Sequence, residues 1–187
     1  MKLQSRFFWS LLLGFAMSLL FLSCQKIRIK DDEFHLERKD YTGNELRMDG
    51  YFYTNFNNNA EVYGSPIFFF RNGVLVNLGA FKMNEQETWE GTINSDEISL
   101  AKETKDRWGI FLIEGNTIKI EKWYNSEAIF LPAYVSEGVI LNDTTFKITS
   151  SYRLTNRGRK KELEVENKTY YFKQFSPKPD STNSYID

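Results

Sequence analysis

The chain has 187 residues, of which 24 are Lys or Arg and 25 are Asp or Glu, with one His and one Cys. The charges are interspersed, so there is no basic stripe to bind nucleic acid, and we predict no such partner. A single Cys excludes an internal disulfide, so the fold must be stabilised by packing alone. Frequent Phe, Tyr and Trp beside β-branched residues favour strands.

Residues 1–23 predict a secretory signal peptide. Lys2 and Arg6 precede an apolar run from Phe7 to Leu22, which is shorter than the roughly 20-residue helix needed to span a bilayer. Two of the 24 basic residues and none of the 25 acids lie in residues 1–23, so the remainder has a net charge of −3. That remainder is long enough for one domain with its own core.

The residues at the end of the apolar run, Leu22-Ser23-Cys24, resemble the lipobox of bacterial lipoproteins. The resemblance implies that Cys24 is acylated, with palmitate among its chains, and becomes the N-terminus that attaches the protein to a membrane. It also implies a location in the bacterial cell envelope, with the outer membrane favoured and the periplasmic or surface face left open. An uncleaved signal anchor is the alternative.

The domain boundaries follow from composition. Residues 24–44 are polar and charged, and we predict a flexible membrane tether there. Within it, residues 30–33 (KDDE) resemble the acidic surface-export signal of lipoproteins in the Bacteroidota. We predict a single antiparallel β domain over residues 45–175 and a disordered tail over 176–187, which is rich in Pro and Ser.

The first half of the domain has two strand signals and one weaker region. Residues 46–55 alternate as a strand does, and Asn72-Gly73 predicts a hairpin with a two-residue loop. A further strand is predicted over 85–93. A short helix is predicted over residues 95–105, although apolar alternation there also permits a strand.

The clearest element is a hairpin over residues 108–123 that turns at Gly115-Asn116. One face is wholly apolar and the other is mixed, which fixes the register because a slip of one residue would expose the apolar set. The predicted pairs on the apolar face are Phe111 with Ile120 and Ile113 with Ile118. The predicted pairs on the mixed face are Leu112 with Lys119, Ile110 with Glu121 and Trp108 with Trp123.

The second half of the domain continues with short strands separated by turn signals, one of which is Ser136-Glu137-Gly138. The last two strands are predicted over residues 163–165 and 169–175. We count about eight to ten strands at spacings near ten residues. The sequence therefore predicts a mainly β fold, an antiparallel barrel or sandwich with one short helix. An eight-stranded barrel is either just filled by its own side chains or holds one small ligand.

Residues able to support catalysis are scarce. His35 lies in the predicted tether, so neither a Ser-His-Asp or Cys-His nucleophilic site nor a Cys/His zinc site can be assembled inside the domain. We predict no catalytic residue, no metal and no cofactor. Paired carboxylates could still hydrolyse a glycan, but the clustered acids indicate a solvated loop. These acids are Glu85, Glu87, Glu90, Asp96 and Glu97.

An aromatic cluster is a candidate binding site. Trp108, Trp123 and Tyr124 could form an exposed platform for a glycan or a partner protein, because Trp buries much area at little entropic cost. Two structural alternatives remain open. The indoles could clamp the open end of the hairpin, or the preceding helix could cover them.

Two short motifs resemble the O-glycosylation acceptor of exported proteins in the Bacteroidota. They are Asp143-Thr144-Thr145 and Asp180-Ser181-Thr182. The resemblance makes Thr144 and Ser181 candidate modification sites, with Ser181 in the more accessible position.

The chain as a whole resembles small lipoproteins of unknown function from the Bacteroidota. The stretches that carry the resemblance are LSC, WGIFLIEGNTIKIEKW, GVILNDTTFKI and FSPKPDSTN. The resemblance implies a location and a fold but no activity.

We predict a membrane-anchored, non-catalytic β domain that binds a small apolar ligand, a glycan or a partner protein of the envelope. The alternatives are a structural or accessory envelope component and a carboxylate-dependent glycan hydrolase. A cavity lined by Phe and Tyr would favour the small ligand, whereas an exposed aromatic patch would favour a partner.

Overall fold

An antiparallel β barrel forms the centre of the structure, a computed structural model that describes residues 30–125, 129–155 and 157–186. The predicted signal peptide and Cys24 lie outside these residues. The chain divides into Met1–Lys30 and Asp31–Asp187, and the second unit contains every element described below. No helix among the described residues has the length and apolar character needed to cross a membrane.

Nine strands are found in the described part of the chain. They are β1 (Gly50–Asn58), β2 (Glu61–Phe69), β3 (Val74–Asn77), β4 (Phe81–Lys82), β5 (Trp108–Glu114), β6 (Thr117–Trp123), β7 (Ala133–Asn142), β8 (Thr145–Leu154) and β9 (Lys160–Gln174). The connection from β4 to β5 is helical. It consists of a 3₁₀ turn (Met83–Glu85), α1 (Gln86–Thr92), a π turn (Ile93–Glu97), α2 (Ile98–Glu103) and a second 3₁₀ turn (Lys105–Arg107).

Strand β1 closes the sheet into a barrel, because it pairs with β9 on one side and with β2 on the other. The order around the barrel is β1-β9-β8-β7-β6-β5-β3-β2. The short β4 pairs with β2 at Tyr63 and Gly64. The predicted mainly β fold is confirmed. Of the two predicted architectures, the structure has the barrel.

The hairpin of β5 and β6 has the predicted register, including Phe111 opposite Ile120 and Ile113 opposite Ile118. Gly115 adopts a φ of 62° at the turn, which suits a two-residue loop with glycine in the first central position. The apolar face of the hairpin points into the barrel.

The hairpin of β2 and β3 differs from the predicted two-residue loop. Phe69 rather than Phe70 lies opposite Leu75, because three residues form the loop. Gly73 donates its N–H to the carbonyl of Phe70 and adopts a φ of 77°, as the last residue of a three-residue loop does. Among the loop residues only Gly73 has a positive φ, whereas a type I′ loop needs two.

The helical connection extends further towards the N-terminus than predicted. Residues 85–93, predicted as a strand, are mostly in α1, and the predicted helix corresponds to the π turn and α2. Trp89 and Ile93 are four residues apart and are both buried, so they lie on the same face of the helical segment. Tertiary packing of this face overrides the weak strand pattern.

Two predicted breaks in the second half are bulges within continuous strands. The pairing of β7 with β8 shifts between Glu137 and Gly138, where a turn was predicted. Gly138 lies so close to β8 that an added Cβ would be 2.2 Å from the carbonyl oxygen of Lys147. The last two predicted strands are likewise one long β9, whose pairing with β8 also shifts.

The barrel separates two apolar cores. The inner core fills the half of the barrel near the β5–β6 turn, which we call the closed end. Its largest fully buried members are Phe52, Phe69, Phe111 and Phe146. The outer core lies between the helical segment and the outside of β1, β2, β3 and β5, where Tyr51, Phe68 and Trp108 are fully buried.

Residues 31–44, predicted as part of a flexible tether, are integral to the domain. The N–H groups of His35 and Leu36 donate to the carboxylate of Glu121 at 2.7–3.0 Å, and the side chain of Glu121 is only 1% exposed. Further along, Tyr41 and Leu46 are buried in the inner core and help to seal the closed end. The polar residues of this segment therefore satisfy a buried charge on β6, a long-range contact that composition does not reveal.

The start of this segment is fixed at the opposite end of the barrel, the open end, where β6 finishes at Trp123. Phe34 stacks on Trp123 with ring centroids 3.9 Å apart, and the Trp123 indole N–H donates to the carbonyl of Asp32 at 2.7 Å. The Asp32 carboxylate accepts from the Arg153 guanidinium at 2.6 Å and from the N–H of Ala133 at 3.1 Å. The segment thus runs down the outside of the barrel from the open end to the closed end.

The tail, predicted to be disordered, also packs on the barrel over its described residues. The Lys178 ammonium donates to the carbonyls of Met48 and Phe69 at 2.7 and 2.5 Å, and burial lowers the pKa of Lys178 to about 8. Tyr185 and Ile186 pack against the outer core. Since Lys178 bridges Met48, just before β1, and Phe69 at the end of β2, the tail fastens the closed end.

The hydrogen bonds from the N–H groups of His35 and Leu36 to Glu121, which we call the N-terminal clasp, give a stability prediction. Glu121→Gln replaces the charged acceptor of these two N–H groups with a neutral amide. Hydrogen bonds to charged groups contribute about 1.5–3 kcal/mol each. We expect the free energy of unfolding in urea to fall by about 2–3 kcal/mol, with faster amide exchange at His35 and Leu36. Glu114→Gln, on the same hairpin but exposed, should change stability by less than about 1 kcal/mol. Equal stability of the two variants would contradict the clasp.

A candidate ligand-binding lumen

The open half of the barrel contains a cavity of about 400 Å³, which we call the lumen. This volume is within the usual range for small-molecule sites, roughly 300–1,000 Å³. Strands β1, β2, β3, β6, β7, β8 and β9 contribute to its wall. The lining residues are Thr54, Asn55, Phe56, Ser65, Ile67, Asn77, Ile120, Lys122, Tyr124, Ser136, Ile148, Glu166, Lys168 and Tyr170.

The lumen exists because the inward-facing residues change in size and polarity along the barrel. The interior of an eight-stranded barrel is just wide enough for large side chains to fill it. Phenylalanines do so at the closed end, whereas Thr54, Ser65 and Ser136 occupy inward positions nearer the open end. These short polar side chains do not reach the barrel axis, so space remains above the inner core.

The floor of the lumen is apolar. Ile67, Ile120 and Ile148 are buried members of the inner core and also line the cavity. Tyr170 lies beside them and stacks on Phe146 with ring centroids 4.7 Å apart. Burial raises the pKa of Tyr170 well above its usual range, so its hydroxyl is a neutral donor.

One cation, Lys122, projects into this space without a carboxylate partner among the described residues. Its Nζ lies 4.9 Å from the centroid of the Tyr124 ring. The side chain is half-buried by surface area because the lumen admits solvent, but protein surrounds it. This burial lowers the pKa of Lys122 to about 8.

The other two charged residues of the described lining neutralise each other. Lys168 and Glu166 form an ion pair on β9 with a separation of 2.9 Å. With Lys122 added, the described lining carries a net charge of +1. The lumen therefore combines an apolar floor with an excess positive charge nearer its mouth.

The predicted aromatic platform is not formed. Trp108 pairs with Val76 and is fully buried in the outer core, where its indole N–H donates to the carbonyl of Ala101 at 2.7 Å. Trp123 is 5% exposed under Phe34, and the β5–β6 ladder ends before the two indoles could pair. Cover by the preceding helix, the structural alternative, is the arrangement found for Trp108.

Tyr124, the third residue of the predicted platform, has a different position. It is exposed at the open end and lines the lumen, with its ring edge-on to Tyr134 at a centroid distance of 5.3 Å. Of the three predicted residues, only Tyr124 is placed to contact a ligand.

The two candidate glycosylation residues lie at the surface and are both half-buried. Thr144 is in the β7–β8 turn, where Asn142 accepts hydrogen bonds from its N–H and its hydroxyl at 3.0 and 2.8 Å. Ser181 accepts from the Asn72 side chain at 3.3 Å. A hydrogen bond from the Thr182 hydroxyl lowers the pKa of Asp180 to about 2.

The acidic cluster singled out in the sequence lies in and beside the helical segment, outside the lumen. Glu90 accepts a hydrogen bond from Tyr51 at 2.6 Å and pairs with Lys173 at 2.8 Å. Glu97 lies 3.7 Å from Arg107. In the described ranges, no group of His, Cys, Asp and Glu side chains is arranged to hold a metal ion.

Apart from Tyr124, sequence reasoning missed the residues of the lumen, although one signal was present. Lys122 follows Ile118 and Ile120 at a spacing of two, so the strand alternation alone places it on the apolar inner face. A charge in such a position is unusual and could have been recognised. The sequence around Ser65 and Ser136 gives no comparable indication that these residues line a cavity.

Comparison with known proteins adds no further evidence on this site. No protein-family model, curated protein or solved structure matches the chain.

Proposed function

We propose that this protein is a lipid-anchored lipoprotein of the bacterial cell envelope whose barrel binds one small ligand without catalysis. The observation that carries the proposal is the lumen, a cavity of about 400 Å³ above a sealed inner core. Apolar side chains at the floor and convergent polar groups above them are the usual composition of a ligand site.

A protein-docking function has less support from the described residues. The indoles expected to form an exposed aromatic patch are buried, so the strongest sequence argument for a partner is lost. A glycan hydrolase needs two carboxyl groups at the substrate. The described lining of the lumen supplies one, Glu166, and this carboxylate is paired with Lys168.

The proposed anchor would keep the open end of the barrel close to the membrane. Asp31 and Asp32 are fixed at the open end of the barrel, through Leu131, Ala133 and Arg153. The seven residue steps from Cys24 to Asp31 span at most about 25 Å when fully extended. With Cys24 acylated, the mouth of the lumen is therefore tied to the membrane by a short chain.

Filling the lumen tests the binding function. Ser136 lines the cavity, so Ser136→Phe should occupy part of it, whereas Thr149→Phe places the same ring on the exposed side of β8. We expect wild type to bind the neutral fluorescent probe N-phenyl-1-naphthylamine. Ser136→Phe should weaken binding at least about tenfold, a change of 1.4 kcal/mol.

The control for this experiment is Thr149→Phe, which should bind the probe as wild type does. Melting temperatures of both variants show that each is folded. If wild type does not bind the probe, or if both phenylalanine variants bind it equally well, the lumen is not the site.

The anchor gives a separate prediction. More than one acyl chain is required for stable membrane attachment, since each buried CH₂ contributes about 0.8 kcal/mol. Cys24→Ala should abolish acyl labelling with palmitate and block cleavage before residue 24. Globomycin should cause the unprocessed wild-type chain to accumulate. A mature wild-type protein with no acyl mass on Cys24 would contradict the proposal.

A further inference from the structure

Lys122 has no carboxylate partner in the described lining of the lumen, and its placement points to a ligand class. Lys122 lies one inward position above Ile120 on β6, so their Cα atoms are separated by about 7 Å along the strand. Below this level the wall is formed by Ile67, Ile120 and Ile148. A ligand that fills the lumen would meet an apolar floor at one end and an ammonium group at the other.

The environment of Lys122 determines what can pair with it. Because Lys168 is paired with Glu166 at 2.9 Å, the only carboxylate in the described lining is already occupied. Burial has the largest effect on the pKa of Lys122 and lowers it, while the charge of Asp106 raises it and that of Arg107 lowers it. Withdrawing an unpaired ammonium group from bulk water is unfavourable, and an anion placed beside it would offset that cost.

We propose, on the basis of the ligand-binding function above, that the lumen takes an amphipathic monoanion, a carboxylate on an apolar body, with the carboxylate beside Lys122. The apolar body enters first and rests on the isoleucine floor. Ser136, opposite Ile120 on β7, and Tyr124, two residues beyond Lys122, also line the lumen and supply hydroxyl groups on either side of the Lys122 position.

The matched ligand pair for the test is decanoate and 1-decanol, which share a chain and differ in charge. The full chain is reconstituted in lipid nanodiscs, and displacement of N-phenyl-1-naphthylamine is measured with empty nanodiscs subtracted. Wild type should bind decanoate more tightly than 1-decanol at pH 7. Acetate, which has the carboxylate without the apolar body, should not displace the probe.

Lys122→Met keeps the length of the side chain and removes its charge. It should weaken decanoate binding by about 10- to 100-fold, as expected for loss of one hydrogen bond to a charged group. Binding of the neutral probe and of 1-decanol should change by less than about twofold, since the floor is intact. Lys119→Met, on the outward face of the same strand, is the control and should leave all three affinities unchanged.

The pH dependence has a definite sign. Decanoate is ionised throughout the range tested, so its affinity should be constant at neutral pH and should fall as pH rises through the pKa of Lys122, about 8. Lys122→Met should show no such fall. The charged and titratable groups that face or act on Lys122 are Asp106 and Arg107 of the second 3₁₀ turn, Tyr124 of the segment after β6, Tyr134 of β7, which is opposite Lys122, and Glu166, Lys168 and Tyr170 of β9.

The outcomes separate this inference from the proposed function. If the probe binds but decanoate has no advantage over 1-decanol, or if Lys122→Met leaves that advantage intact, the lumen binds ligands and the anion inference is overturned. If neither the probe nor decanoate binds, both proposals fail. Tight binding of acetate would show that the site recognises small anions without the apolar body, which also contradicts the inference.

Discussion

Closure of the barrel by β1 is the constraint on which the rest of this structure depends. Pairing of β1 with both β9 and β2 removes the free edges of eight strands and divides every strand into an inward and an outward face. The inward face has a fixed width, so the size of each inward side chain decides whether space remains. Phe52 and Phe69 fill that width, and Ser65 and Ser136 do not.

The outward faces also need cover, and the chain supplies it on two sides. The helical segment buries Trp108 and Phe68 of the β1-β2-β3-β5 wall. On the β6 side, the N-terminal segment covers Trp123 and donates backbone N–H hydrogen bonds to Glu121. The inner core, the helical cover and the N-terminal clasp together support a barrel that is filled at one end and open at the other.

Sequence patterns predicted those parts of the fold that depend on neighbouring residues. The β5–β6 register was correct because the alternation is strict and Gly115-Asn116 permits a two-residue turn. The Asn72-Gly73 register was wrong by one residue, since one positive φ at Gly73 suits a three-residue loop equally well. The fold class follows from the sum of such local signals and could therefore be predicted from the sequence.

The lumen and the N-terminal clasp could not be predicted in the same way. Both depend on contacts between residues far apart in the chain, such as His35 with Glu121, which are 86 residues apart. Polar composition made the N-terminal segment resemble a tether, although its polar groups are bonded to the barrel. Lys122 was visible as a charge on an apolar face, but a cavity beside it requires the closed barrel.

The central claim, that ligands enter the lumen, can be tested by methyl NMR of isoleucine-labelled protein titrated with decanoate. Ile67, Ile120 and Ile148 lie at the lumen floor, whereas Ile93 and Ile98 are in the outer core. The structure predicts saturable shifts of the three floor methyl groups and unchanged outer-core signals. Saturable shifts confined to the outer-core methyl groups, or no shifts at all, would contradict it.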